Sequence, residues 1–480
     1  NPMAVEMAKL SLWLVSMDPE KPFTFVDDKV ACGDSLLGIT SMEQLEWMHI
    51  NSSRGRKLHE GKEERWTLGA ERLAAEVAEL RRKIAATSDY DGKRELLEAA
   101  RHAVERAEVF ADLVSGAALA GARSGERKTD DLSLVAADLV RLVEKDPARL
   151  SDAERQAVDW LRTDLPRAAF ARDPLHWPLV FPEVFAERGG FDAVIGNPPF
   201  LGGKKISGTA GSAYREYLVE TVGHGVKGNA DLVAYFELRA HELLNESGQT
   251  GLIATNTLAQ GDTREVALDQ IAASGVEIRR AVKSEKWPSK SAVLEYCAVW
   301  TTAASMAESA QRVLDGQVVR RITPALDPES RVSGKPERLA CNSGISFQGS
   351  IVVGLGFVMS PEEACDLISK EPRNSDVLFP YLNGEDLNSR SDCSASRWII
   401  NFHDWSVDRA KEYSDCFDRV HRLVKPERDK VRRDAHRERW WRYGDLKPSL
   451  YRAIASLDQV IVLTLVSKTV MPVMVPTGQV

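Results

Sequence analysis

The sequence predicts an α/β fold, and three stretches carry that prediction. A helix-forming opening leads into an extended stretch, Phe23 to Cys32, that closes on Gly33-Asp34-Ser35. The run FDAVIG at 191–196 passes directly into Asn197-Pro198-Pro199-Phe200. A helical stretch from Asp231 to Asn245 meets a turn at Ser247-Gly248 and then GLIATN. Helices alternating with strands build a sheet whose ligands gather at the carboxyl ends of the strands. Asp34 and Asn197–Phe200 both fall at such ends.

Taken in order, Asn1-Pro2 has the form of a helix start, Asn as cap and Pro in the first turn, ahead of MAVEMAKLSLWLV. The sequence reads as beginning inside a domain, with residues 1–42 the N-terminal remnant of the α/β core. From 43 to 172 Ala, Leu, Glu and Arg recur at helical spacing, as in ERLAAEVAELRRKIAA and DLSLVAADLVRLVEK. This predicts a helical insertion acting as an amphipathic scaffold; no acidic-acidic-Lys nuclease constellation stands out in it. The α/β rhythm resumes with HWPLVFPEVF, and 173–304 forms the catalytic half of the core. There FDAVIG reads as a buried strand and Val276 to Trp300 as a strand pair. Residues 305–345 are polar, contain Pro324, Pro328 and Pro336, and read as a linker. From FQGSIVVGLGF onward, 346–480 reads as a separate mixed domain.

Bulk properties narrow the function classes. A chain of 480 residues is long for one domain. Its 43% hydrophobic and 28% charged residues are those of a globular protein. No apolar run approaches the roughly 20 residues that span a bilayer, so no membrane partner is expected. Cys32, Cys297, Cys341, Cys365, Cys393 and Cys416 are scattered, without a CxxC pair or a His cluster at metal spacing. Neither a metal site nor a disulfide framework is predicted, and the cysteines read as reduced thiols of a cytoplasmic protein. The net charge of −8 argues against a generally basic coat and leaves room for a local basic patch.

Asn197-Pro198-Pro199-Phe200 is the sharpest chemical signal, because each residue answers a difficulty in methylating an aromatic amine. The lone pair of such an amine is delocalised into its ring, which makes it a poor nucleophile. An Asn side-chain oxygen and the following Pro carbonyl can accept its two hydrogens and favour a more tetrahedral nitrogen. Pro198 and Pro199 hold those acceptors in place through their fixed φ. Phe200 offers a flat face to a base turned out of a duplex. In a random loop the same four residues would read as a turn; their position at a strand end decides for chemistry.

At this point the chain resembles the amino-methylating DNA methyltransferases, whose fourth motif is Asn/Asp/Ser-Pro-Pro-aromatic. It is closer still to the MmeI-like type IIG restriction-modification proteins, through CGDSLLG, HWPLVFPEVF, NPPFLGGKKI, GNADLVAYF, GLIATNTLAQGDTR, FQGSIVVGLGF, FPYLNGEDLNSR, HRERWWRYG and VSKTVMPVMVPTGQV. The resemblance covers nearly the whole chain apart from the helical insertion. It implies a Rossmann-like class I methyltransferase core, incomplete at its N terminus, with a C-terminal mixed α/β target-recognition domain in 346–480. It also implies methyl transfer from S-adenosyl-L-methionine to the N6 amino group of a flipped adenine in double-stranded DNA. The order of cofactor half, tip and recognition region is the gamma arrangement, which favours adenine over cytosine.

The resemblance assigns Asp34 to the cofactor's adenine amino group; as a residue alone, Asp34 reads equally as a strand-end turn. A glycine-rich cofactor loop and a ribose-binding acid are expected just before Asn1, and a nuclease domain further upstream. In SEKWPSKSAVLEYCAVW, Trp287 is the candidate for a second wall against the flipped base, and alternatively a core anchor at a strand edge. Asn229-Ala230-Asp231 reads as shaping the cofactor pocket or simply as a helix cap. Lys204 and Lys205 read as phosphate contacts or as solvated lysines. In VHRLVKPERDKVRRDAHRERWWRYGDLK, Arg428, Lys430, Arg432, Arg433, Arg437, Arg439 and Arg442 are interleaved with acids and with Trp440, Trp441 and Tyr443. From this run Arg432, Arg433, Arg437, Arg439, Trp440 and Trp441 are the DNA-binding candidates, against a salt-bridged exposed helix. Two other functions compete: an RNA or protein amide methyltransferase, and a non-catalytic DNA-binding specificity module.

Overall fold

The computed structural model describes residues 2–16, 29–59, 79–80, 82–84, 86–87, 90–167, 169–288, 295–307, 309–328, 339–431, 434–467 and 469–480. The chain divides into two compact units, Asn1–Ser333 and Gly334–Val480.

In the first unit a six-stranded sheet runs β1 (Phe191–Gly196), β2 (Leu244–Thr255), β4 (Glu295–Thr302), β3 (Glu277–Lys286), β5 (Arg312–Leu314), β6 (Gln317–Val319) across its width. β1 and β2 are parallel; β4 is antiparallel to both β2 and β3. Hence β1, β2 and β3 all point the same way, and their carboxyl ends share one edge of the sheet. The sheet is mixed, with β4 and β6 running against β1, β2, β3 and β5, and with helices packed on it the architecture is consistent with a Rossmann-like methyltransferase fold.

Two sequence expectations need correction here. Among the described residues FDAVIG pairs only with β2, and Ile195 is 82% exposed, where a buried strand was expected. Residues 312–319, inside the stretch read as a linker, instead form β5 and β6 and extend the sheet past β3. The strand read at Phe23 to Cys32 lies mostly outside the described residues.

Helix α1 (Pro2–Ser16) forms where the Asn-Pro start indicated, with none of its residues buried. Three further helices, α2 (Tyr90–Gly121), α3 (Glu126–Lys145) and α4 (Leu150–Leu161), come from the Ala/Leu-rich segment. On α3 the buried positions are Ser133, Ala136, Ala137, Val140 and Val143, one stripe at i, i+3, i+4, i+7 spacing. Gly116 lets α2 approach α4 closely, since an added Cβ would stand 3.0 Å from that of Trp160. The helices share a continuous core with the sheet, from Leu113 and Val140 through Tyr217 and Val233 to Ala254, Cys297 and Val299.

The second unit holds a three-stranded antiparallel sheet, β7 (Val358–Met359), β9 (Arg397–Ile400), β8 (Leu378–Tyr381), and a hairpin-like pair, β10 (Gln459–Val462) with β11 (Val473–Pro476). Phe357, Ile399, Phe402, Phe417 and Trp440 centre its own core. All six cysteines are free thiols. Among the described residues no cluster of three metal-ligating side chains occurs, and no helix is long and apolar enough to cross a membrane.

Candidate active site

The loop leaving β1 carries Asn197 and Pro199 exposed, Pro198 buried and Phe200 half-buried. Prolines lack an N–H, so this tip needs few partners of its own, and the first amide past it that is held belongs to Leu201. That amide donates to Asp231 Oδ1 at 3.2 Å, and the Leu232 amide donates back to the Leu201 carbonyl at 3.0 Å. The same Asp231 oxygen accepts from Val233 N at 3.1 Å and caps α7 (Leu232–Glu242). Next along the loop, Gly203 opens α5 (Gly203–Ala210) against the backbone of Asn229, where an added Cβ would lie 2.4 Å from a carbonyl carbon.

A third loop, beyond the carboxyl end of β2, supports the second. Asp262 Oδ2 accepts from Asn229 N at 2.6 Å, and Thr263 Oγ1 accepts from Asp231 N at 3.1 Å. The sequence reading missed Gly203, Asp262 and Thr263. The available signal was Gly261-Asp262 just past a strand, the pattern already noticed at Gly33-Asp34.

Trp287 follows β3 directly, half-buried, with its ring edge-on to Tyr296 at 5.5 Å and 82°. Tyr296 is paired across the ladder with Thr255, the last residue of β2. Trp287 and Asn197–Phe200 therefore follow strands whose carboxyl ends share one sheet edge, three strand positions apart.

Asp34 is half-buried in a turn, bridged to Pro174. Its Oδ1 accepts from Leu36 N at 3.0 Å, Leu37 N at 3.3 Å and the Tyr214 hydroxyl at 3.0 Å. Burial pushes its carboxyl above the usual carboxylate range, opposed first by the Tyr214 hydrogen bond and then by the two amides. The Tyr214 hydroxyl is itself raised well above its ordinary value by burial and by the neighbouring Asp34. Tyr214 belongs to α6 (Ser212–Tyr217), which follows α5, and the Tyr217 hydroxyl donates to the Leu36 carbonyl at 3.4 Å, so the turn at Asp34 and the chain leaving the Asn197 loop are joined through two hydroxyls. Lys204 and Lys205 are exposed in the first turn of α5.

In the second unit the basic run divides. Arg428 is only 2% exposed and donates to the carbonyls of Val352, Val353 and Arg442. Trp440, expected to meet nucleic acid, is 9% exposed and packs its ring 5.3 Å from both Phe417 and His421. It is a core anchor, because an indole among apolar rings gains more by leaving water than by facing it. Trp441 is half-buried and donates from Nε1 to the Trp405 carbonyl at 3.1 Å. Arg442 donates to that same carbonyl. Arg437 is exposed and paired with Asp434, and Arg439 is exposed. Arg432 and Arg433 lie outside the described residues.

Residues 1–273 match the family of Eco57I restriction-modification methylases. The chain belongs to that family. This restriction-modification methylase is also similar in structure to MmeI, a type IIL restriction-modification enzyme solved in complex with DNA, with a TM-score of 0.50 at 15% identity. The match covers 69% of this chain and 46% of that enzyme. At such identity the likeness concerns the fold. No curated protein sequence matches this methylase.

Proposed function

We propose that this methylase is the catalytic and target-recognition portion of a site-specific DNA methyltransferase acting on the N6 amino group of an adenine turned out of double-stranded DNA. The observation that carries the reading is the state of the Asn-Pro-Pro-Phe tip. It stands at the carboxyl end of β1, with Asn197 open to solvent and Pro198 buried as its root. A sealed tip could not admit a nucleotide.

The methyl donor that fits is S-adenosyl-L-methionine. Asp34 supports that choice: its Oδ1 takes three donors, whereas Oδ2 has no hydrogen bond among the described residues. A carboxylate has about four acceptor positions, so this one keeps capacity for an exocyclic amino group. When bound, the donor supplies an electrophilic methyl group on a cationic sulfur. Asn197 Oδ1 and the Pro198 carbonyl accept the two hydrogens of the target amine, which localises its lone pair. Phe200 stacks on the extruded base, with Trp287 as the second aromatic wall. Lys204, Lys205 and Arg439 neutralise phosphates.

The test is to express the full gene with Asn197→Ala beside wild type and assay genomic DNA for N6-methyladenine. Modification is expected in wild type and abolished in the variant; equal modification in both would remove Asn197 from the chemistry.

A further inference from the structure

The tip loop after β1, the segment before α7 and the loop after β2 are three pieces of chain distant in sequence, and each is fastened to the next. Asp231 stands at the centre. Its Oδ1 accepts two amides at once, Val233 N of its own helix and Leu201 N from the tip loop. A helix cap needs only the first. The second comes from 30 residues upstream and meets the chain immediately after Phe200. The return bond from Leu232 N to the Leu201 carbonyl closes a two-way clasp. Asp231 is in turn held from behind: its own amide donates to the buried Thr263 hydroxyl, and Asn229 N donates to Asp262 Oδ2. Gly228 and Gly203 permit this approach. An added Cβ at Gly228 would stand 2.9 Å from Asp262 Cβ, and one at Gly203 would strike the Asn229 backbone.

We propose that Asp231 is the positioning residue of the tip, setting the height of Asn197 and Phe200 above the sheet edge, with Thr263 and Asp262 as its supports. The proposal rests on the reading of Asn197–Phe200 as an amine-methylating tip. The physical reason is that two consecutive prolines stiffen the tip without anchoring it. A rigid tip on a loose base swings as a unit, and a displacement of about 1 Å in a reacting group can cost on the order of a hundredfold in rate. The clasp removes that swing at Leu201, the residue that follows Phe200.

The experiment uses the full-length protein and three variants. Asp231→Ala removes the shared oxygen, Asp231→Asn keeps it without charge, and Thr263→Val removes only the support behind it. Asp231→Ala is expected to lower kcat for adenine methylation by about tenfold or more, with KM for DNA changed by less than about threefold. Asp231→Asn is expected to restore most of the wild-type kcat, and Thr263→Val to fall between. Amide hydrogen exchange over residues 197–204 should accelerate in Asp231→Ala and Thr263→Val and stay slow in Asp231→Asn. Unchanged kcat and exchange in Asp231→Ala would overturn the proposal. So would an Asp231→Asn as defective as Asp231→Ala, which would mean that the charge acts directly on a ligand. If Asp231→Ala does not fold, Thr263→Val decides by the same two measurements. If Asn197→Ala leaves methylation intact, the tip's chemical role fails, and the exchange data still decide whether the clasp holds the loop.

Discussion

The Tyr214 hydroxyl donates to Asp34 Oδ1 at 3.0 Å across 180 residues of sequence. With the Tyr217 hydroxyl on the Leu36 carbonyl, this bond joins the turn proposed to hold the methyl donor to the helices that follow the Asn-Pro-Pro-Phe tip. Asp34 thus has a structural neighbour that no local pattern announces, and its ionisation becomes part of the stability of the first unit.

Because burial raises the Asp34 pKa, the folded state disfavours its ionised form. The stability linked to the neutral carboxyl is full below about pH 4, its unfolded range, and is lost as pH rises through the elevated folded value. Asp34→Asn stays neutral throughout. It is expected to melt higher than wild type at pH 7 and to lose that advantage near the acidic limit. Melting curves at the two pH values check this, and an offset that does not change with pH would contradict it.

Gly203→Ala tests the close approach at the tip loop. Its methyl would come within 2.4 Å of the Asn229 carbonyl carbon and 2.5 Å of the Ala230 oxygen. Backbone must shift, at a cost of about 1–3 kcal/mol. A lower thermal midpoint together with reduced kcat is expected; a variant indistinguishable from wild type in both would show that the loop yields freely.

Phe200→Ala should weaken capture of the extruded base by about 1–3 kcal/mol, the range for one base–aromatic stack. A fluorescent adenine analogue placed at the target position would report less unstacking on binding in this variant than in wild type. The same loss is expected for Trp287→Ala. An unaltered signal in either would remove that ring from the slot.

In the second unit, Arg428→Ala leaves the Val353 and Arg442 carbonyls without that donor and the Val352 carbonyl with the Gly444 amide alone, and should destabilise the fold by about 3 kcal/mol. Trp440→Ala empties a core position and should cost about 3–5 kcal/mol. Arg439→Ala is expected to change stability by no more than about 0.5 kcal/mol. It should also lower the slope of log affinity for DNA against log salt by about one. Urea unfolding and salt-dependent binding separate the three, and a stability loss in Arg439→Ala equal to that of Arg428→Ala would refute the division.

Features set by neighbouring residues were legible in the sequence. The helices of 90–161 follow from the spacing of their apolar positions, and the α7 cap follows from an Asp before an apolar helical run. The position of Asn197–Phe200 at a strand's carboxyl end follows from the FDAVIG run that precedes it. FDAVIG misled because its composition suits a buried strand or an exposed one, and only its partners distinguish the two. The polar stretch around 312–319 misled for the converse reason: short strands pairing at a sheet margin need little apolar content.

Periodicity and side-chain chemistry are properties of adjacent residues, so the sequence by itself determined the helices of 90–161 and the strand that ends at the Asn197–Phe200 loop. Tertiary structure alone decided that Tyr214 meets Asp34, that Asp262 and Thr263 stand behind Asp231, and that Arg428 and Trp440 turn inward while Arg439 turns out. Those outcomes depend on which distant segments close upon one another. An arginine or tryptophan in a mixed run carries no mark of the side it will face until the packing of the whole unit sets the cost of leaving water.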